Sequence, residues 1–221
     1  MDLQGLLQQK RDSILHRWYG VLLQDYPPET VRFLTEERDQ FANPVGSTFV
    51  RGLSQIYDAL VQSLGSASGS EARGWNAPGG DGNGCRRGQG TPREGTLRDA
   101  LDSVIRIRAT QAFPPSQAVA FVLRLKTLVR EEAERHLPGD LPHRRQLAQW
   151  EAMVDALTLL AFDTYTQCRE KMQEVRINEL RNRTYRLLLK ANVLADFGIE
   201  EAEQLRFGGE PPSAGDAGEG R

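Results

Sequence analysis

Cysteine and histidine are scarce in this sequence, which has two cysteines and three histidines among 221 residues. Cys85 lies in a glycine-rich stretch and Cys168 in a strongly helical pattern, so they do not suggest a disulfide framework. The sequence lacks a Cys-x-x-Cys pair, a His-Glu-x-x-His motif and a glycine-rich phosphate loop ending in Lys-Ser or Lys-Thr. We therefore expect no catalytic residue, no metal site and no cofactor, and a protein that is not an enzyme.

Long apolar runs and a strong net charge are absent too. The best apolar run, residues 152–162, contains Asp155 and is far shorter than the ~20 residues that a membrane span needs. The N-terminus has no basic stretch followed by an apolar one, as a secretory signal would. The formal net charge of −2 does not indicate nucleic acid as a partner. We expect a cytoplasmic protein with no integral membrane segment and no nucleic-acid partner.

Helical periodicity is what the sequence does contain. Apolar residues recur at helical spacing over residues 3–24, 44–64, 97–111 with Thr96 as the N-cap, 116–136 and 143–195, with a shorter helical turn over 29–35. Residues 65–95 include ten glycines, and we expect them to form a disordered insertion. The pattern predicts one all-α domain over residues 1–195, followed by an acidic, mostly disordered tail over 196–221.

The last predicted helix is unusually long. At 1.5 Å per residue, roughly 50 residues would extend about 75 Å, beyond a domain about 30 Å across. We therefore expect it to protrude, to pair with a second copy in a coiled coil, or to dock on a partner. Its basic second half contains a candidate partner-docking set. The set is Arg176, Leu180, Arg183, Leu187 and Leu188.

A second candidate site surrounds the segment 105–111. Arg106 and Arg108 flank Ile107, so their side chains point to different sides of a helix. An arginine facing the interior needs a carboxylate or a bound anion. We favour a structural ion pair, with Asp155 or Asp163 as the carboxylate, over a signal or ligand contact. The candidate polar cluster is Arg106, Arg108, Gln111, Asn43, Trp18 and Asp155.

Several blocks of this sequence are similar to one known family. They are Trp18 with Tyr-Pro-Pro-Glu-Thr at 26–30, Phe-Ala-Asn-Pro-Val-Gly at 41–46, Ile-Arg-Ile-Arg-Ala-Thr-Gln-Ala-Phe at 105–113, and Pro-Ser-Gln-Ala-Val at 115–119. Over residues 1–64 and 96–195 the chain resembles the N-terminal domain of RsbRD-type RsbT co-antagonist proteins. The resemblance implies a globin-like helical bundle that senses a signal and, in the wider family, passes it to a C-terminal STAS domain in a stress-signalling complex.

This chain departs from that family in one respect, because only a short acidic tail follows the long helix. We therefore expect a freestanding member without a STAS domain. A globin-like fold also raises the question of haem. No histidine lies between residues 64 and 97 or on the helix predicted at 97–111, so no haem is expected.

Three functions remain open on the sequence alone. The first is a sensory or regulatory module that binds a protein partner, with a homodimer through the C-terminal helix as one form. The second is a scaffold or assembly factor for a larger enzyme complex, such as a respiratory one, which would bind constitutively. The third and weakest is a histidine phosphotransfer protein that uses His16. The default for His16, His136 and His143 is a structural or solvated side chain.

Overall fold

In the computed structural model, every described residue in a regular element is helical. The described residues are 2–66 apart from 38 and 40, and 92–190 apart from 138. They form α1 (Leu3–Gln9), α2 (Arg11–Leu23), α3 (Pro28–Glu36), α4 (Pro44–Ser66), α5 (Pro92–Thr110), α6 (Pro115–His136) and α7 (Leu141–Lys190). The all-α fold with a long C-terminal helix is confirmed, whereas the globin-like arrangement stays a prediction.

The predicted first helix is two helices. The Asp2 side chain caps α1 by accepting a hydrogen bond from the Gly5 amide at 2.9 Å. Lys10 then interrupts the helix with φ −97° and ψ 10°. Arg11 starts α2 and directs its guanidinium to the Asp58 carboxylate on α4, with Nε 2.7 Å from Oδ1. The polar pair that interrupts the apolar face in the sequence therefore marks the break.

Proline starts four of the other helices, where a missing amide hydrogen costs least. Because α5 begins at Pro92, the predicted cap Thr96 lies inside the helix instead of before it. Both ends of the predicted disordered insertion, residues 65–66 and 92–95, are helical instead, since α4 continues to Ser66 and α5 starts at Pro92. Residues 67–91, 191–195 and the predicted tail at 196–221 lie outside the described residues.

Large aromatic residues fill the core, with Trp18, Tyr57, Phe121 and Trp150 each at most 2% exposed. Trp150 of α7 packs edge-on against Tyr57 of α4, with 6.1 Å between ring centroids. The Tyr57 hydroxyl donates to the Leu7 carbonyl at 2.9 Å and so connects α4 to α1. Burial of these rings supplies the main stabilising term of the fold.

Helices α4 and α5 pack at very short range. A Cβ added at Gly52 would lie 2.6 Å from Cγ2 of Val104 and 3.3 Å from the Ala100 carbonyl oxygen. A side chain at this position would therefore force the two helices apart. This close approach holds α5, which carries Arg108, against α4.

The chain divides into two units within α7, one ending at Arg169 and the other beginning at Glu170. Nearly all side chains that form the core lie in the first unit. The described side chains from Glu170 onward are exposed apart from a few partly buried ones. None of the described helices has the combination of length and apolar character that crossing a membrane requires.

Candidate functional site

Arg108 is the buried charge at the centre of the first unit. Its side chain is 0% exposed and forms an ion pair with Asp25, whose own side chain is 30% exposed. Nη1 donates to the Leu22 carbonyl at 3.1 Å, and Nη2 donates to the Gln117 carbonyl at 3.0 Å as well as to Asp25. One guanidinium therefore connects the end of α2, the last turn of α5 and the first turn of α6.

The position of Arg108 has a clear electrostatic reason. The Leu22 carbonyl belongs to the last turn of α2, where carbonyl groups lack helical partners and the helix dipole favours a cation. Aromatic rings face the guanidinium as well, with the Phe113 centroid 4.5 Å and the Phe121 centroid 5.7 Å from Cζ. The buried charge is thus stabilised by one carboxylate, two carbonyl groups and π faces.

Tyr26 joins Gln111 to this cluster. Its ring lies 5.6 Å from Arg108 Cζ, and its hydroxyl donates to Gln111 Oε1 at 2.6 Å. Burial raises the pKa of Tyr26 to about 12, although Arg108 acts in the opposite direction. The hydroxyl therefore stays neutral at physiological pH and remains a hydrogen-bond donor to Gln111.

Trp18 lies next to the same cluster through Phe121. The two rings are 6.0 Å apart, and the indole Nε1 donates to the Phe121 carbonyl at 2.7 Å. Trp18 is 0% exposed and its one polar atom has a partner, so it serves as a packing and positioning residue. Trp18, Arg108 and Gln111 are the members of the predicted cluster that the structure brings together.

Asn43 lies apart from them, at the junction of α3 and α4. It is 2% exposed, and its Oδ1 accepts from the Gly46 amide at 2.8 Å, as an N-cap of α4 does. Its Nδ2 donates to the Leu34 and Glu37 carbonyls at 3.2 and 3.0 Å, which close the end of α3. All three bonds are structural, and a Cβ at Gly46 would lie 2.3 Å from Nδ2.

Replacing Asn43 with alanine is expected to lower the free energy of unfolding by about 2 kcal/mol, because it removes the cap of α4 and the side-chain donor to the Leu34 and Glu37 carbonyls. Urea denaturation followed by circular dichroism measures this loss. The control is Thr48→Ala, which removes one local bond to the Pro44 carbonyl. Equal stability of the two variants would contradict the structural role of Asn43.

Two further members of the predicted cluster, Arg106 and Asp155, lie away from Arg108. Arg106 has a side chain 61% exposed and pairs with Asp102 one turn earlier on α5, with 2.6 Å between Nε and Oδ2. Asp155 pairs with Lys126 of α6 at 2.9 Å and is 56% exposed. The expectation that Asp155 or Asp163 pairs with the interior arginine is wrong, because Asp155 and Asp163 are exposed and Asp25 fills that role.

The sequence analysis missed Asp25, Tyr26, Phe113 and Phe121 as neighbours of Arg108. One signal was available, since Asp25 and Tyr26 directly precede Pro27-Pro28 and therefore lie where α2 must end. A helix end favours a cation nearby. Nothing in the sequence indicates that the cation comes from a residue 83 positions later.

The second candidate site is the end of α7. Leu180 and Leu187 are 62% and 61% exposed, and with Arg176 and Arg183 they recur at steps of four, three and four residues. These four side chains lie on one side of the helix, which we call the docking stripe. It contains four of the five residues predicted from the sequence, and all four are exposed.

Leu188, the fifth predicted residue, belongs to a neighbouring groove. The described residues that line the groove are Ile177, Leu180, Arg181, Thr184, Tyr185 and Leu188. Leu180 is common to the groove and the docking stripe. The sequence analysis missed the other four lining residues, although Ile177, Arg181, Thr184 and Leu188 also recur at helical spacing.

The described part of the chain offers no group of three or more His, Cys, Asp or Glu side chains that could hold a metal ion. His16 is exposed on α2. His136 approaches the Glu132 carbonyl at 3.0 Å, and His143 forms an ion pair with Asp140. The hydrogen bonds to His143 lower the pKa of Asp140.

Comparison with known proteins finds a family match for the part of the chain that includes Arg108 and most of α7. Neither a curated protein nor a solved structure matches the chain significantly. The family model of the RsbT co-antagonist protein RsbRD N-terminal domain matches residues 84–180. Trp18 and Asn43, which contribute to the predicted resemblance, precede the matched region. Over residues 84–180 the predicted resemblance to the RsbRD N-terminal domain family is confirmed.

Proposed function

We propose that this protein is a non-catalytic, cytoplasmic regulatory module that binds a protein partner through the docking stripe on α7. The observation that carries the proposal is the exposure of Leu180 and Leu187, at 62% and 61%, between exposed arginines. Apolar side chains that recur at helical spacing on an exposed helix are typical of helix-in-groove recognition. The family match supports a signalling role for the same chain.

The charge of the docking stripe indicates the kind of partner. Arg176 and Arg183 alternate with Leu180 and Leu187, so the stripe is apolar and basic. A parallel second copy would bring these arginines together, which is unfavourable in a helix pair. An acidic surface with an apolar groove fits better. A homodimer through α7 is therefore the second candidate and an outcome of the experiment below.

Arg108 has a separate proposed role within the first unit. Arg108 joins three helix ends through three polar contacts and three aromatic rings. Both terminal nitrogens of the guanidinium have partners, whereas the buried Nε has none among the described residues. Because the Nη1 and Nη2 contacts all go to helix ends, we propose that Arg108 positions helices and does not bind the signal. Its proposed role is that of a structural hub.

Replacing Leu180 and Leu187 together with glutamate is expected to reduce partner recovery at least tenfold, because it places two charges in an apolar contact. Tagged full-length protein is captured from native lysate, and co-purifying proteins are quantified by mass spectrometry. The matched control is Leu159→Glu, which is 61% exposed on the same helix but lies in the first unit.

Recovery that stays unchanged in the Leu180/Leu187 variant, or that falls equally in the Leu159 variant, would overturn the proposal. If a second copy of this chain were the only protein to co-purify, the result would identify the homodimer. A partner that is bound stoichiometrically under all growth conditions would favour the scaffold function over a signal-dependent regulator.

A further inference from the structure

The turn between α5 and α6 carries backbone strain. Ala112 has a φ of 61°, and in the part of the chain that the structure describes it is the one residue other than glycine with a positive φ. Its amide donates to the Ala109 carbonyl at 3.3 Å, and the Phe113 amide donates to the Arg108 carbonyl at 3.4 Å. This pair of bonds is the Schellman pattern, in which glycine usually occupies the left-handed position. Because alanine has a Cβ that disfavours this conformation, contacts from outside the turn must hold Ala112 there.

Two side chains of α7 bind the carbonyl groups of this turn. The Tyr165 hydroxyl donates to the Phe113 carbonyl at 2.6 Å, and Tyr165 is buried. Arg169 Nη1 donates to the Ala109 carbonyl at 3.3 Å, near the end of α5, where the helix dipole favours a cation. Tyr165 and Arg169 are four residues apart and therefore lie on the same side of α7. They bind the turn on both sides of Ala112.

The turn also sets the position of Phe113 against the buried guanidinium. The Phe113 ring centroid lies 4.5 Å from Arg108 Cζ, and the Tyr26 ring packs edge-on against Phe113 with 5.0 Å between centroids. In a Schellman motif the residues at the positions of Arg108 and Phe113 usually make an apolar contact. A cation–π contact takes its place here. Opening of the turn would therefore withdraw Phe113 from Arg108.

We propose that the α5–α6 turn is a conformational latch, in which Tyr165 and Arg169 hold Ala112 in its left-handed conformation. When these contacts are lost, alanine leaves that conformation because nothing else offsets its strain. The packing of α7 on the turn and the packing of Phe113 on Arg108 are thus linked, and the link acts equally in both directions. All of these residues lie in the first unit. The latch does not involve the docking stripe and so goes beyond the proposed function.

Hydrogen exchange of the Ala112 and Phe113 amides in the full-length protein tests the latch, because both amides donate within the turn. Tyr165→Phe keeps the ring and removes the hydroxyl. We expect both amides to exchange about fivefold faster than in the wild type, the scale of one lost hydrogen bond, as measured by nuclear magnetic resonance. The matched control is Thr166→Val, whose lost hydroxyl donates within α7 to the Phe162 carbonyl at 3.0 Å. This variant is expected to match the wild type.

Ala112→Gly tests the strain separately. Glycine adopts the left-handed conformation freely, so both amides are expected to exchange about fivefold more slowly than in the wild type. In the double variant Ala112→Gly/Tyr165→Phe the two effects offset each other, and exchange returns to near the wild-type rate. The Arg108 Nε–H signal in the same spectra reports the buried guanidinium. We expect it to shift in Tyr165→Phe, to return toward its wild-type position in the double variant, and to stay unchanged in Thr166→Val.

Unchanged exchange in Tyr165→Phe, or exchange in Ala112→Gly that is no slower than in the wild type, would overturn the latch. Faster exchange throughout the first unit in Tyr165→Phe would overturn it in favour of a general loss of packing. An Arg108 Nε–H signal that does not respond to Tyr165→Phe would overturn the link to the guanidinium. None of these measurements needs a partner, so the proposed function stands or falls separately.

Discussion

Replacing Arg108 with methionine is expected to lower the free energy of unfolding by about 3 kcal/mol, the scale of breaking a buried charged contact. Methionine is apolar and of similar length, so the loss reports mainly the polar contacts. The Leu22 and Gln117 carbonyls lose a charged donor, and the end of α2 loses its cation. Asp25 is 30% exposed and can be solvated, which keeps the loss from being larger.

Arg106→Met is the matched control for this experiment. Arg106 lies two residues earlier on the same helix, is 61% exposed and pairs with Asp102 within one turn. Its replacement is expected to change stability by less than about 0.5 kcal/mol, as exposed pairs usually do. Urea denaturation of both variants measures the difference. Similar losses in the two variants would contradict the role of Arg108 as the hub of α2, α5 and α6.

Asp25→Asn separates the ion pair from the carbonyl contacts. Asparagine can still accept a hydrogen bond, and Arg108 keeps its bonds to Leu22 and Gln117. We therefore expect the free energy of unfolding to fall less than it does for Arg108→Met. An equal or larger loss would mean that the ion pair, and not the capping of α2, holds the arginine in place.

The second large effect is expected at Trp18, where replacement with alanine should lower the free energy of unfolding by about 4 kcal/mol. The indole is 0% exposed, packs on Phe121 at 6.0 Å and donates to its carbonyl. Alanine would leave a cavity between α2 and α6 and would remove the hydrogen bond that the indole donates to the Phe121 carbonyl.

Trp18→Phe is the companion variant, because phenylalanine fills most of the space but cannot donate the hydrogen bond. The free energy of unfolding is expected to fall by less than half as much as in the alanine variant. Thermal and urea denaturation, followed by far-ultraviolet circular dichroism, measure both variants. A loss below about 1 kcal/mol for Trp18→Ala would contradict the structural role and would favour the predicted ligand contact.

Helical spacing in the sequence was enough to predict the all-α fold and most helix positions. The same reasoning placed Arg106 and Arg108 on different sides of α5, and Arg108 does face the interior. Periodicity does not report long-range partners, however. Asp155 was chosen because it lies in the most apolar part of α7, yet α7 exposes that side and Lys126 neutralises it.

Local breaks were harder to predict than whole helices. The break between α1 and α2 lies at Lys10, next to Arg11, whose partner Asp58 is 47 residues away and is not indicated by helical spacing. Thr96 has the chemistry of a cap, although Pro92 starts α5 one turn earlier. In both cases tertiary packing or a proline decided the boundary.

At the end of α7, residue spacing was a better guide than it was at the breaks between helices. The sequence indicated Arg176, Leu180, Arg183 and Leu187 as members of a docking set, and all four side chains are exposed in the structure. Leu180 and Leu188 are the members of that set that line the groove. Around a helix, Leu187 and Leu188 point about 100° apart, so only Leu188 lines the groove.

The most direct test of the central claim is photo-crosslinking in living cells with a photoreactive phenylalanine analogue at position 187, which is on the docking stripe but outside the groove. Position 159 is the matched control, since Leu159 and Leu187 are both 61% exposed. A regulatory module that docks through α7 predicts a specific covalent adduct with another protein at position 187 and none at 159. No adduct at 187, or equal adducts at both positions, would contradict that account.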